Sequence, residues 1–206
     1  MKSGFHISWR GMSAFLAALT IVVSSYVFYS ANHSLLGAVN VAALRDYGGT
    51  TIQDMAGFEV WRIFTAQLIH AKPLHMLWNA IGILLLGGRV ERETGGRWVF
   101  LLWLVAGGLA TIVSPIFIEA PWNVGTGASQ ATFAFAGFAS VLAFARAVDR
   151  AAAAFLICLV VLPGVGLDLI SDGYLKPGHI AGFLLGILGG GLYVKLSRDP
   201  RPSTMS

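Results

Sequence analysis

Long apolar runs dominate the chain, separated by short connectors that carry charges, Pro or Gly. A helix advances about 1.5 Å per residue, so about 20 uncharged residues cross a hydrocarbon core about 30 Å thick. Six segments approach that demand, roughly 11–31, 73–88, 98–118, 126–145, 151–167 and 177–194. The second and fifth are short, which tilt or local bilayer thinning accommodates. None alternates polar and apolar residues at every second position, as strands of a membrane barrel do. The pattern predicts an all-α polytopic membrane protein: a tail over 1–10, a membrane domain over 11–195 and a second tail over 196–206. The first segment follows Lys2 and Arg10 but is too long for a signal core and lacks a clear cleavage pattern, so it is expected to be retained.

Composition agrees. Of 206 residues, 56% are hydrophobic and 12% charged, with mean hydropathy +0.72, whereas a soluble domain has about 25% charged residues. A water-soluble globule and a disordered linker are both excluded. The single cysteine, Cys158, lies in an apolar run, so neither an intrachain disulfide nor a cysteine metal cluster can hold the fold.

Basic residues orient the chain, because loops on the cytoplasmic side retain Lys and Arg. With the N-terminus inside, 10 of the 14 basic residues fall inside: Lys2, Arg10, Arg89, Arg92, Arg97, Arg146, Arg150, Lys195, Arg198 and Arg201. Arg45, Arg62, Lys72 and Lys176 fall outside. Both termini are therefore expected in the cytoplasm, at a plasma (inner) membrane. The net charge of +4 reads as a topology signal, with no nucleic-acid partner implied. The one long connector, 32–72, then lies outside and sets Phe58, Trp61 and Phe64 among charges, a mix suited to the headgroup layer.

Polar groups within spans are costly and mark candidate sites. They are few: His75 and Asn79 in the second span, Ser129 in the fourth and His179 in the sixth. With the N-terminus inside, the even-numbered spans all begin at the outer face. His75 follows Pro73 by two residues, Ser129 follows Thr126 by three and His179 follows Pro177 by two, so all three share one depth, about one turn below the surface. Asn79 follows His75 by four, on the same helix face. A Ser and a His at one depth suffice for acyl transfer, the imidazole taking the hydroxyl proton and returning it to the leaving amine. An amide and a second His could hold the developing oxyanion.

Taken singly, each residue has a plainer reading. Ser129 sits in a small-residue stretch, Gly125 to Ser129, of the kind that lets membrane helices pack closely, and His179 and Asn79 can serve as interhelical hydrogen-bonders. Their common depth favours chemistry. Gly178, Gly182, Gly186 and Gly190 repeat every four residues along one face of the sixth span, a close-approach surface. If the fourth span docks there, Ser129 and His179 come within reach of each other.

At these residues the sequence resembles the rhomboid family of intramembrane serine proteases. The resemblance rests on Trp61-Arg62, His70, His75 and Asn79, the run Gly127 to Ser129, Gly178-His179 with Gly182 and Gly186, and Glu91 with Gly95. It implies a six-transmembrane-helix rhomboid-like bundle of bacterial type and a Ser/His dyad without an acidic third member. Ser129 would be the nucleophile and His179 the general base. His75, Asn79 and the Ser129 backbone N–H would form the oxyanion site, with Gly127, Phe133 and Gly178 supporting it. The Trp61-Arg62 pair would have a structural role in the outer loop.

Two positions depart from the family pattern: Gln130 replaces the Gly that usually follows the nucleophile, and Phe133 replaces a frequent Tyr. Phe133 can still pack on His179. Gln130 adds bulk where substrate approaches, bearing on specificity or activity. Asp168, at the outer end of the fifth span, is expected to bond the loop in preference to orienting His179. Asp172 and Glu119 are read the same way.

The resemblance implies hydrolysis of a peptide bond in or beside the transmembrane helix of a single-span protein, near the outer face. A catalytically inactive rhomboid-like protein that binds transmembrane helices is the alternative. Ser129 with His179 argues for the enzyme, and Gln130 keeps the binder open. A transporter would place polar groups through the full depth, against the pattern here. No cofactor or metal is suggested, since two His residues on adjacent turns without a carboxylate make a poor closed metal site.

Overall fold

A computed structural model describes residues 11–198, apart from the side chains of Ser171 and Asp172. The expected tail over 1–10, and residues 199–206 of the second tail, lie outside the described residues. The protein is helical, and the pairing of Thr50 with Gly125 is an isolated bridge between extended segments. Helix α1 (Met12–Asn32) leads into a long loop holding two short helices, α2 (Ile52–Ala56) and α3 (Arg62–Thr65). Helix α4 (Pro73–Gly82) continues through a π-helical turn, Ile83–Gly87, into α5 (Gly88–Thr94). Helix α6 (Gly96–Leu101) passes through a second π-helical turn, Leu102–Gly107, into α7 (Gly108–Val113). The last three helices are α8 (Ser129–Phe144), α9 (Arg150–Asp172) and α10 (Pro177–Arg198).

Each apolar run is thus helical. Among the described residues, four stretches are long and apolar enough to cross a membrane: Met12–Asn32, Gly96–Phe117, Arg150–Ile170 and Pro177–Arg198. The run beginning at Pro73 ends among Arg89, Glu91, Arg92 and Glu93, and α8 is a shorter apolar helix of 16 residues.

Local chemistry sets the boundaries. Pro73 opens α4 in the first turn, where its missing N–H costs nothing. The Asp149 carboxylate caps α9, accepting the Ala152 N–H at 2.7 Å, and Gly173 ends that helix in the left-handed conformation (φ 76°). Helix α1 is capped from a distance. Glu91 accepts the N–H groups of Gly11 and Met12 at Oε1 (2.6 and 2.9 Å) and that of Ser13 at Oε2 (2.9 Å), satisfying three donors that a helix start leaves open. Burial raises the Glu91 pKa, but hydrogen bonds from Ser13, Met12 and Gly11 outweigh it and leave the carboxyl below its ordinary value.

The long loop between α1 and α4 is held by charge. Arg45 donates to Asp54 at 2.6 Å, and Asp54 closes a capping box with Thr51 at the start of α2. Arg62 pairs with Glu59 at 2.7 Å and donates to the carbonyls of Arg45 (2.6 Å) and Gly49 (2.8 Å). Its guanidinium lies 4.6 Å from the Trp61 ring centroid. Phe58 and Trp61 face outward while Phe64 packs edge-on against buried Trp103.

Helix α8 is the centre of the bundle. It is apolar around its whole circumference, and 12 of its 16 residues are buried. Helix α10 lies against it along the glycine face. A Cβ at Gly182 would collide with the Gln130 carbonyl oxygen, and one at Gly186 with the Ala134 carbonyl oxygen. In the reverse direction, a Cβ at Gly137 would strike the Phe183 carbonyl. Backbone touches backbone, as small-residue faces permit in membranes where no hydrophobic effect drives helices together.

This packing makes Gly186 far less replaceable than Gly191, which lies on the open side of the same helix. Gly186→Val should destabilise the protein by at least about 2 kcal/mol in detergent thermal unfolding, whereas Gly191→Ala, where a Cβ meets nothing within 4 Å, should not destabilise it. Glu91→Ala should cost about 1 to 2 kcal/mol at neutral pH. Because the native Glu91 pKa is depressed, that stabilisation is complete above the unfolded value and fades as pH falls through the native one. The gap between wild type and variant should therefore close below about pH 4, read from unfolding midpoints across pH.

Candidate active site

Ser129 is the first residue of α8 and follows a tight approach. Gly127 adopts φ 92°, a left-handed conformation that an L side chain would strain, and its N–H donates to the Ala66 carbonyl at 2.8 Å. Two residues earlier Gly125 exchanges both backbone hydrogen bonds with Thr50 (2.7 and 3.0 Å). The segment entering α8 is therefore stitched to the long loop between α1 and α4, which fixes where α8 begins.

His179 is the third residue of α10 and, like Ser129, is buried. The glycine face brings the two together: Ser129 Oγ lies 2.8 Å from His179 Nε2. A second acceptor, Gln130 Oε1, stands 3.2 Å from the same hydroxyl. Phe133 stacks on the imidazole with ring centroids 4.3 Å apart and planes inclined by 10°, as expected of an aromatic ring at this position. Gly178 donates its N–H to Ser114 Oγ at 3.2 Å, and a side chain there would collide with that hydroxyl. The start of α10 is thereby seated against the end of α7.

The expectation for Asp168 needs correcting. It does bond the loop, accepting the Lys176 N–H at 3.1 Å, with the Lys176 ammonium 3.6 Å from its other oxygen. It also lies 2.6 Å from His179 Nδ1, and only 2% of it is exposed. Its place at the end of a span suggested an interfacial residue. Near the end of α9 it instead faces inward, toward the His179 ring and Lys176. The sequence held a signal for this, an acid flanked by Leu167 and Leu169 within an apolar stretch, where charge is costly unless partnered. Glu119, read alongside it, is exposed, and the Asp172 side chain lies outside the described residues.

His75 and Asn79 gather around His70. Asn79 Nδ2 lies 2.9 Å from His70 Nε2, which also accepts the Ala128 N–H at 3.2 Å. On the far side of the ring, Ser24 Oγ donates to the Leu68 carbonyl (2.7 Å) and lies 3.0 Å from His70 Nδ1. These partners fix the tautomer. Ser24 has spent its proton on Leu68, so His70 Nδ1 carries a hydrogen, and the bare Nε2 accepts from Asn79 and Ala128. Burial, and next the neighbouring His75, push the His70 pKa well below its ordinary value, so the ring stays neutral and keeps Nε2 free to accept. His75 meets His70 edge to face, with centroids 5.5 Å apart.

A Cβ on Gly127 would sit 3.5 Å from the His70 ring and 4.0 Å from His75 Cε1, so the peptide before Ser129 borders both rings. Ser129 and His179 are thus joined directly. His75 and Asn79 belong to an adjacent group linked to them through His70 and the backbone of Gly127 and Ala128. Ser24, which completes that group from α1, gave no sign of its part in the sequence, since Ser commonly sits in membrane helices as packing. Among the described residues, no group of three or more His, Cys, Asp or Glu side chains could hold a metal ion.

Comparison with known proteins places the chain in a family. A family model described as Rhomboid domain matches residues 57–196. The chain is 31% identical over 159 residues to RHOMBOID-like protein 4 of Arabidopsis thaliana, covering 76% of this chain and 40% of that protein. It is 27% identical over 147 residues to Rhomboid protease GlpG of Haemophilus influenzae, covering 68% of this chain and 73% of that one. It is 26% identical over 151 residues to Rhomboid protease GluP of Bacillus subtilis, covering 73% of this chain and 29% of that one. The chain spans well under half the length of several of these relatives, the Arabidopsis protein among them. With the family model covering most of the chain, and every motif residue from Trp61 to Gly186 inside it, this multi-pass membrane protein belongs to the rhomboid family.

Proposed function

We propose that the protein is an intramembrane serine endopeptidase that cuts a peptide bond in or next to the transmembrane helix of a single-span membrane protein. The observation that carries this reading is the 2.8 Å contact between Ser129 Oγ and His179 Nε2, both buried and on separate helices. A hydroxyl held on a bare imidazole nitrogen is poised for attack. In the proposed step, Ser129 Oγ bonds to the scissile carbonyl carbon, its proton passes to His179 Nε2, and the carbonyl electron pair moves onto oxygen. The Ser129 N–H, at the start of α8, with His75 and Asn79, would stabilise that oxyanion. His179 then gives its proton to the departing amine, and water repeats the cycle on the acyl-enzyme.

The membrane arrangement follows the same reading. Six crossings, with the runs from Pro73 and Ser129 as the two shorter ones, leave both termini in the cytoplasm and set the starts of α4, α8 and α10 toward the outer face of the plasma (inner) membrane. The excess of basic residues on the inner side supports this orientation. A helical peptide bond is shielded by its own hydrogen bonds, so the substrate must unwind locally, which favours small or helix-breaking residues near the cut.

One observation favours a second reading, a rhomboid-like protein that binds transmembrane helices without cutting them. Gln130 Oε1 offers the Ser129 hydroxyl a competing acceptor at 3.2 Å. Cleavage of a model single-span substrate by purified protein in proteoliposomes separates the two. Ser129→Ala and His179→Ala should each slow cleavage by about 10³-fold or more while leaving the thermal midpoint near that of wild type. Equal cleavage by either variant, or a folded wild type that binds substrate helices without cutting a panel of them, would overturn the protease reading.

A further inference from the structure

Asp168 has no part in a two-residue mechanism, yet its surroundings are too specific for a loop tie alone. It lies in the apolar stretch of α9 and is 2% exposed, where an ionised carboxylate persists only if its oxygens are matched by donors. They are matched. One oxygen accepts from His179 Nδ1 at 2.6 Å and from the Lys176 N–H at 3.1 Å, and the other faces the Lys176 ammonium at 3.6 Å. We propose that Asp168 is a positioning residue for His179, holding the imidazole in the tautomer and orientation that serve Ser129 in this protein. The proposal rests on the protease reading for its consequence in rate, though not for its consequence in tautomer.

A neutral His has one ring hydrogen, and Ser129 can be activated only if His179 Nε2 is bare. Phe133, stacked flat on the ring, fixes its plane but is indifferent to which nitrogen carries the hydrogen. The Ser129 hydroxyl is equally indifferent, since it can donate to Nε2 or accept from it. Asp168 is the group in contact with His179 that decides. As a carboxylate it can only accept, so it holds the hydrogen on Nδ1 and leaves Nε2 to take the Ser129 proton.

When that proton arrives, the imidazolium forms beside an anion already in place. Asp168 stays ionised throughout, the proton travelling no further than Nε2. The charged and titratable groups beside this pair are Lys176 on the turn before α10 and His75 in the first turn of α4, with Lys72 acting on His75. Lys176 offsets the carboxylate while the imidazole is neutral, which makes the charge tolerable at this depth. Chain order brings the pair together, because Asp168 lies near the end of α9, His179 lies in the first turn of α10, and the turn between them returns the acid to the base.

The test combines kinetics with a signature that mere structural support would not move. In proteoliposomes, Asp168→Asn should lower kcat by about 10²-fold or more, with KM changed less than about threefold and the thermal midpoint little altered. Asp168→Glu, which keeps the charge on a longer arm, should recover at least about tenfold of that loss. Independently of activity, ¹⁵N-histidine spectra should show His179 of the wild type protonated at Nδ1, and Asp168→Ala should populate the Nε2-protonated form. An active wild type matched by Asp168→Asn within about threefold would overturn the proposal and leave the protease reading standing. If the wild type proves inactive, the spectra decide: a His179 protonated at Nε2, or unchanged in Asp168→Ala, overturns the assignment.

Discussion

The contact on which the rest depends is that between the backbones of α8 and α10. Gly182 and Gly186 bring α10 so close that its Cα atoms lie against the carbonyl oxygens of Gln130 and Ala134. Side chains of ordinary size would separate the helices by ångströms, and the Ser129 to His179 hydrogen bond, 2.8 Å long, has no such slack. Packing and site geometry are therefore one constraint. In a bundle whose helices are apolar on every side, close approach and a few buried hydrogen bonds are the specific forces available. This protein concentrates both at the same pair of helices.

Around that contact, the buried polar groups at the starts of α4, α8 and α10 are linked in two hydrogen-bonded chains, while Gln67 Oε1 and Trp103 Nε1 nearby are left unpaired. Ser24, Leu68, His70, Asn79 and Ala128 form one chain of hydrogen bonds, and Ser129, His179, Asp168 and Lys176 form another. Leaving any buried member unpaired costs more than the bond itself contributes. The two chains border each other at Gly127 and Ala128, where the left-handed turn lets the backbone pass between the rings of His70 and His75 and the first turn of α8. Three helices and the long loop thus converge on a few residues. The charge lattice of the loop, from Arg45 and Asp54 to Arg62 and Glu59, holds that entry segment in place through Thr50 and Gly125.

Much of this was legible in the chain itself. The length of each apolar run marked it as helical, and the four-residue glycine period marked the face that receives α8. The parity of six expected spans pointed to one layer for Ser129 and His179, and the structure joins these two directly at 2.8 Å. What resisted reading was partner choice. Asp168 sits eleven residues before His179, and although an acid in an apolar stretch calls for a partner, hydropathy does not say whether a loop donor or His179 supplies it. His70 was evident as a motif residue, but its role as acceptor for Asn79 and Ala128 depends on Ser24, which lies 46 residues earlier in a different helix. Periodicity reports which face of a helix is buried. It is silent about which hydrogen bond a buried group makes across helices distant in sequence.

The central claim is that the Ser129 hydroxyl is a nucleophile prepared by the imidazole of His179. Its most direct measurement is covalent labelling of the purified, folded protein by a fluorophosphonate, with the adduct mapped by peptide mass spectrometry. One phosphonyl group per chain on Ser129, absent from Ser129→Ala and strongly slowed in His179→Ala, is the predicted result. No reaction of the folded wild type, or labelling that persists unchanged without the His179 imidazole, would contradict the account.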